Sequence, residues 1–190
     1  MKNNIGERLL FLDTEAGGVD CNKHSLLSIG LAVWESDRKI IDSTDILIKH
    51  NNYMITSTAQ NINKFDQEIH ENSAVSPSKA NSVLLDFCAP YFEDGLLIPL
   101  AGHNTQFDVG FLKVFLKANN RSYNKLFSHR IIDTYTLLRS LYYSGKISED
   151  ISSSTEAFIY FGIKVEGRHT AKGDAIATAE LYSKLIQLLQ

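Results

Sequence analysis

The chain has 190 residues, of which 44% are hydrophobic and 22% charged, and its net charge is −3. These values are typical of an ordinary globular protein, and we expect one well-buried domain over residues 1–190. The N-terminal sequence MKNNIGERLLFLD has a short apolar run that ends at an acid, which argues against a signal peptide or a membrane span. We therefore predict cytoplasmic residence without membrane association. Cys21 and Cys88 lack CxxC spacing, which argues against a disulfide framework or a structural zinc site.

The charges are distributed unevenly along the chain. Residues 1–108 carry 8 basic and 15 acidic side chains, whereas residues 109–146 carry 7 basic side chains and the single acid Asp133. The basic segment 109–146 has two open interpretations, a solvated helical face or a surface that contacts phosphates. Helical periodicity places Lys113 and Lys117 about 140–180° from Asp108, so these lysines cannot line the same cleft as that acid.

The first half of the chain is predicted to form strands. The segment LLFLDT (9–14) is apolar up to its acid, as expected of a central strand that is buried on both faces. The segments 26–35 and 40–50 follow at hairpin-like spacing around a polar turn. Together they predict a strand meander.

The second half is predicted to alternate helices with short strands. Ser76-Pro77 is typical of a helix start, and Pro90 should end or bend that helix. The segment 96–102 is a second candidate for a buried strand. The other predicted elements are a helix from Thr105 to Ala118, a short strand at 130–132, a helix capped by Asp133, a capping box at Ser153/Glu156 and a helix from Thr170 to Leu189. The pattern indicates an α/β protein with a mixed sheet flanked by helices.

Two acids follow the first predicted strand at a spacing that suits metal binding. Asp13 and Glu15 are two residues apart, so both side chains should leave the same face of the strand. Gly17-Gly18 comes next, where backbone can approach a ligand closely. A solvated turn is the alternative interpretation, but α/β folds place their sites at the ends of buried strands.

Two further acids are predicted to point inward from helices. Asp108 lies on the same helical face as Phe111 and Phe115, and Asp174 begins an apolar stripe on the last helix. A carboxylate that faces the sheet must be paired, protonated or bound to metal. His169 could join them only from a loop before the last helix, where it would be a candidate general base because its ordinary pKa lies near neutrality.

These residues lie in motifs that resemble those of the DEDDh 3′→5′ exonucleases of the DnaQ-like group. FLDTEAGG resembles the first motif, AGHNTQFDVGFL the second and GRHTAKGDAIATAELY the third, in the family's order from about residue 7 to 188. The sequence departs from the family at AGG (16–18), where a Thr-Thr-Gly run is more usual, and at Gln106. The resemblance implies a ribonuclease-H-like fold.

The resemblance also implies roles for individual residues. Asp13, Glu15 and Asp174 would surround one Mg²⁺ or Mn²⁺, Asp13 would bridge to a second ion, and Asp108 would support that second ion directly or through water. His169 would deprotonate the attacking water. The implied substrate contacts are the backbone of Thr14, Ala16 and Gly17, together with His103 and Asn104, and the weaker candidates Phe107 and Phe111, for which packing in the core is favoured.

The function implied is removal of nucleoside 5′-monophosphates from a single-stranded 3′ end. DNA is the favoured substrate, and trimming of RNA 3′ ends, as by RNase T or oligoribonuclease, is the alternative within this class. A non-catalytic nucleic-acid-binding or scaffold subunit is the alternative from another class. The sequence does not distinguish a homodimer from a chain held by a polymerase or repair protein.

Overall fold

The computed structural model describes residues 8–167 and 169–189, and its centre is a five-stranded mixed sheet in the order β3-β2-β1-β4-β5. The strands β1, β2 and β3 pair antiparallel, whereas β1, β4 and β5 run parallel. This confirms the predicted mixed sheet. The strands are β1 (Arg8–Ala16), β2 (Leu26–Glu35), β3 (Ile40–Leu47), β4 (Leu100–Gly102) and β5 (Ile132–Asp133).

Eight helices are found within the described residues, and they cover both faces of the sheet. They are α1 (Ser57–Asn63), α2 (Gln67–Glu71), α3 (Pro77–Cys88), α4 (Gln106–Ala118), α5 (Tyr123–Leu126), α6 (Thr134–Tyr143), α7 (Ser154–Tyr160) and α8 (Ala171–Leu188). Leu10 and Leu12 of β1 pack with α3 and α4 on one face, while Phe11 packs with α8 on the other. The first strand is therefore buried on both sides, as its apolar sequence predicts.

The predicted helix starts are present as capped ends. Ser76 accepts a hydrogen bond from the Lys79 amide in front of Pro77, and Asp133 accepts one from the Tyr135 amide. Ser153 and Glu156 form the reciprocal capping box. Each cap satisfies amide groups that have no partner within the helix.

Several boundaries differ from those predicted. The segment 96–102 forms a strand only at Leu100–Gly102, because Leu96 and Leu97 are 59% and 45% exposed and Ile98 makes only an isolated bridge. The strand predicted at 130–132 instead comprises Ile132–Asp133, and α3 ends at Cys88 ahead of Pro90. The helices α1 and α2 were not predicted, because each buries only one side chain and has no apolar stripe.

Further sequence predictions concern the cysteines and the membrane. Both cysteines are free, and burial raises the pKa of the Cys88 thiol to about 12. Within residues 8–167 and 169–189, every helix is too short or too polar to cross a bilayer. Residues 1–7, on which the prediction about a signal peptide partly rests, and Arg168 of the third motif lie outside the described residues.

Candidate active site

Three of the predicted acids meet at the end of β1. Oxygen atoms of Asp13, Glu15 and Asp174 all lie within 4.8 Å of one another, close enough to share a metal ion. Asp13 and Glu15 leave the same face of β1, and Asp174 approaches that face from the first turn of α8. Asp174 is 8% exposed, as its inward position on the helix predicts. Carboxylate oxygens are the ligands that Mg²⁺ and Mn²⁺ prefer, so the residues fit a hard divalent cation.

The first turn of α8 can reach the acids because of a glycine in the neighbouring strand. Gly30 of β2 pairs with Asp13, and a Cβ atom at Gly30 would lie 1.9 Å from the Ala171 carbonyl carbon. The helix therefore rests directly on the backbone of β2. This contact sets the distance between Asp174 and the acids of β1.

The fourth acid, Asp108, is attached to this group through Thr14. The Thr14 hydroxyl donates a hydrogen bond of 2.7 Å to Oδ1 of Asp108, and both side chains are buried. Asp108 is 4% exposed, and burial raises the pKa of its carboxyl to about 7, although the Thr14 hydroxyl acts to lower it. Among the described residues, Asp108 is not one of the acids whose oxygens meet within 4.8 Å.

His169 lies in the loop before α8, as the sequence predicts. Its backbone φ of +66° is in the left-handed region, and the amide of the N-cap residue Thr170 donates a hydrogen bond of 3.0 Å to the Gly167 carbonyl. His169 and Glu15 line one cavity of about 320 Å³, together with Asp45 of β3. His169 therefore borders the same space as an acid of the cluster.

A second cavity adjoins the acids on the side of α1. It has a volume of about 450 Å³, and its walls include Thr14, Glu15, Ala16, Val19, Ile62 and Phe107. Val19, Ile62 and Phe107 are 87%, 56% and 36% exposed, so an apolar rim is open to a ligand. Val19 and Ile62 were not predicted as candidate site residues, because one lies in an irregular loop and the other on the unpredicted helix α1.

The two phenylalanines of the second motif have different positions. Phe111 is 2% exposed and packs in the core, so the prediction that it contacts a substrate base is wrong, whereas the favoured core position is confirmed. Phe107 is on the cavity rim, so the favoured core position is wrong for this residue. Phe107 lies in the first turn of α4, before the helix is fully covered by the sheet.

The backbone of Gly17 is used within the protein. Its N–H donates to the Ser25 carbonyl, and its carbonyl accepts from the Thr56 amide. A Cβ atom at Gly17 would lie 2.2 Å from the Met54 carbonyl oxygen, so the close approach at this glycine is to another loop. Both backbone hydrogen-bonding groups of Gly17 thus have partners within the protein, whereas Thr14 and Ala16 line the cavity, and contact of this backbone with a substrate stays a prediction.

His103 and Asn104 lie in the turn after β4. Asn104 and Thr105 donate their amides to the Asp133 carboxylate, and Nδ1 of His103 is 3.0 Å from the Thr134 hydroxyl. The turn is thus fixed to the start of α6. Lys113 and Lys117 lie on the exposed side of α4, opposite Asp108, as helical periodicity predicts.

Comparisons with known proteins agree with this geometry. Residues 10–182 match the RNase_T family, which is described as exonuclease. The oligoribonuclease of Bordetella pertussis is 23% identical over 173 residues, which cover 88% of this chain and 87% of that protein.

Solved structures show the same fold. Exonuclease I of E. coli, in complex with a dT13 oligonucleotide, is similar with a TM-score of 0.77 and 15% identity over 94% of this chain and 41% of that one. The nuclease domain of 3′hExo, a DEDDh family member bound to rAMP, gives a TM-score of 0.74 and 14% identity over 95% of this chain and 92% of that one. The sheet and its helices are thus those of the ribonuclease-H-like exonucleases. From the match over residues 10–182, we conclude that the chain belongs to the RNase_T family and is an exonuclease.

Proposed function

We propose that this exonuclease removes nucleoside 5′-monophosphates one at a time from the 3′ end of short single strands, with Mg²⁺ or Mn²⁺ as cofactor. The observation that carries the proposal is the meeting of Asp13, Glu15 and Asp174 within 4.8 Å, beside a histidine on one side and an apolar-rimmed cavity on the other. The similarity to a DEDDh nuclease domain bound to rAMP supports it.

The acids would hold two metal ions. Asp13, Glu15 and Asp174 suit the first ion, and Asp13 with Asp108 suits the second. When bound, such ions polarise the phosphate, lower the pKa of the attacking water and stabilise the leaving 3′ oxygen. The ions also compensate the negative charge that would otherwise repel a phosphodiester.

The remaining residues have roles that follow from their positions. His169 accepts the proton of the attacking water, since this residue lines the same cavity as Glu15. Thr14 orients the Asp108 carboxylate through its hydroxyl. Phe107, Val19 and Ile62 contact the base of the terminal nucleotide, and such apolar contacts accept any base.

The proposal also concerns whether the substrate is DNA or RNA. DNA is the main proposal, because a structure with the same fold holds a dT13 oligonucleotide. RNA is the second candidate, because the oligoribonuclease of Bordetella pertussis is similar over 87% of its own length.

A matched set of 5′-labelled single-stranded DNA, single-stranded RNA, duplex and very short oligomers tests these proposals. With Mg²⁺ or Mn²⁺ we expect a descending ladder on one single-stranded substrate and nucleoside 5′-monophosphate as product. Absence of a ladder on both DNA and RNA would contradict the proposed activity. A preference for the ribose strand would replace the DNA proposal with the RNA one.

A scaffold without catalysis is the competing function. Calorimetric titration with Mn²⁺, in the presence of a nucleoside monophosphate, distinguishes the two. We expect binding to the wild-type chain and its loss in Asp13→Asn. A wild-type chain that binds no ion would favour the scaffold.

A further inference from the structure

We propose that His103 and Tyr135 form a binding site for the base of the nucleotide on the 5′ side of the scissile bond. This inference rests on the proposed function, because it concerns the strand that keeps the leaving 3′ oxygen. The two rings lie 6.0 Å apart at an angle of 73°, and both side chains are half-buried. They lie outside the two cavities that adjoin the acids.

The sheet order gives the site two distinct sides. The strand β1, which carries Asp13 and Glu15, lies between β2 and β4. The cavity that contains His169 extends over β2 and β3, since Ser28 and Asp45 line it. The turn with His103 and the start of α6 follow β4 and β5, on the opposite side of β1.

The geometry of phosphoryl transfer connects these sides to the substrate. In an in-line displacement the attacking oxygen and the leaving oxygen lie on opposite sides of the phosphorus atom. If His169 takes the proton of the attacking water, the water lies on the side of β2 and β3. The leaving 3′ oxygen and the nucleotide attached to it then lie on the side of β4 and β5.

His103 and Tyr135 are at the right place to meet that nucleotide. The register pairs Phe11 with Ala101 and Ala101 with Ile132, so β4 and β5 end beside the middle of β1, close to the level of Asp13. Neighbouring strands are about 4.8 Å apart, which places the start of α6 about 10 Å from the line of β1. Ligands of open α/β sheets bind at the carboxyl ends of the parallel strands, and the residues that follow β4 and β5 lie at that edge of the sheet, next to β1.

Hydrogen bonds hold the two rings in place. The Asp133 carboxylate accepts the amides of Asn104, Thr105 and Tyr135, at 2.9–3.1 Å. These three donors also compensate the charge of Asp133, which would otherwise repel a phosphate.

The tautomer of His103 follows from its neighbour. The Thr134 hydroxyl donates its only hydrogen to the Gly102 carbonyl, so it accepts the hydrogen bond from Nδ1 of His103. Nδ1 therefore carries a hydrogen, and this bond orients the imidazole. A fixed ring is a better surface for stacking than a mobile one, because less side-chain entropy is lost on binding.

Stacking on an aromatic ring stabilises a bound base and tolerates every base. We therefore expect Tyr135→Ala to raise KM for a short oligonucleotide about tenfold. For the same variant, the rate of hydrolysis of the p-nitrophenyl ester of a nucleoside 5′-monophosphate should stay within about twofold of the wild-type rate. That ester has p-nitrophenolate in place of the upstream nucleoside, so it has no base that could bind at His103 and Tyr135.

The experiment compares kcat and KM for the ester with those for the thymidine or uridine trinucleotide, whichever the wild type degrades. Tyr135→Phe keeps the ring and should behave as wild type. Tyr143→Ala, which removes a 74% exposed tyrosine from the same helix, should leave both substrates unaffected. Removal of the middle base from the trinucleotide should raise the KM of the wild type by the same factor. It should not raise the KM of Tyr135→Ala any further.

Two results would overturn the proposal. Equal losses on both substrates in Tyr135→Ala would show that the ring only supports the fold, and unchanged KM for the trinucleotide would show that it contacts no base. A wild-type chain that hydrolyses neither substrate with Mg²⁺ or Mn²⁺ would instead contradict the proposed function, on which the inference depends.

Discussion

The two parts of the candidate metal centre differ in their readiness to bind an ion. Asp13, Glu15 and Asp174 already converge within 4.8 Å, and two of them are partly exposed. Asp108 is buried, hydrogen-bonded to Thr14, and has a pKa raised to about 7 by burial. The proposed site of the first ion is therefore preformed, whereas binding of the proposed second ion would require loss of a proton from Asp108.

The most severe test of this comparison is Asp13→Asn, because Asp13 would contact both ions. We expect turnover to fall by at least about 10³-fold, since metal ions contribute several kcal/mol of transition-state stabilisation. Oligonucleotide hydrolysis and calorimetric Mn²⁺ binding measure the two effects. Asp86→Asn, which neutralises an exposed acid on α3, is the matched control and should be unaffected. Full activity in Asp13→Asn would remove the acid from the mechanism.

The buried acid can be tested through the pH dependence of stability without metal. The pKa of Asp108 is about 7 when folded against 3.8 as its ordinary value, so the folded chain holds a proton that the unfolded chain has lost. The contribution to the free energy of unfolding is then present below about pH 4 and falls as the pH rises to about 7, by up to about 4 kcal/mol. Asp108→Asn should remove this decline, as urea unfolding of the two metal-free proteins would show. Parallel pH profiles would contradict the raised pKa.

Substitution of His169 distinguishes an effect on proton transfer from an effect on metal binding. We expect His169→Asn to lower turnover about 10²-fold or more at neutral pH, which is the usual contribution of a general base. Mn²⁺ affinity should change little, because the ligand oxygens remain. Rapid single-turnover kinetics and calorimetry measure these quantities. An unchanged rate would exclude the histidine as the base.

The link between the two parts of the centre is the Thr14 hydroxyl. Thr14→Val keeps the shape of the side chain but removes the donor to Asp108, so the pKa of Asp108 should rise further. We expect a fall in turnover of about tenfold at neutral pH, which is recovered at higher pH. Thr14→Ser restores the donor and is the control. A loss that is the same at every pH would point to packing instead.

The smallest effect is expected at the lysines that lie away from the cleft. Reversing the charges of Lys113 and Lys117 should leave trinucleotide hydrolysis unchanged and weaken the binding of longer strands about severalfold, with a flatter salt dependence. Affinity measured at several salt concentrations tests this surface. Unchanged affinity for long strands would identify it as a solvated helical face.

Much of the centre could be predicted from sequence because it depends on local periodicity. The two-residue spacing of Asp13 and Glu15 and the helical positions of Asp108 and Asp174 correctly predict the faces from which the acids point. His169 is found in the predicted loop.

Other features depend on long-range packing that the sequence does not encode locally. Periodicity placed Phe107 in the core, but the sheet does not cover the first turn of α4. The pairing of His103 with Tyr135 follows from the register between β4 and β5, which are three and two residues long. The helix α1 has one buried residue, so its sequence has no apolar periodicity from which a helix could be predicted.

Gly30 has no functional group, but its small size determines the geometry of the candidate metal centre. Any side chain there would collide with the backbone of Ala171 and lift the first turn of α8 away from the sheet. Asp174 and the His169 loop would move with that turn, while the acids of β1 would stay in place. A substitution at Gly30 could thus leave a folded protein whose ligands no longer meet, so the tolerance of this strand to mutation is limited by catalysis as well as by stability.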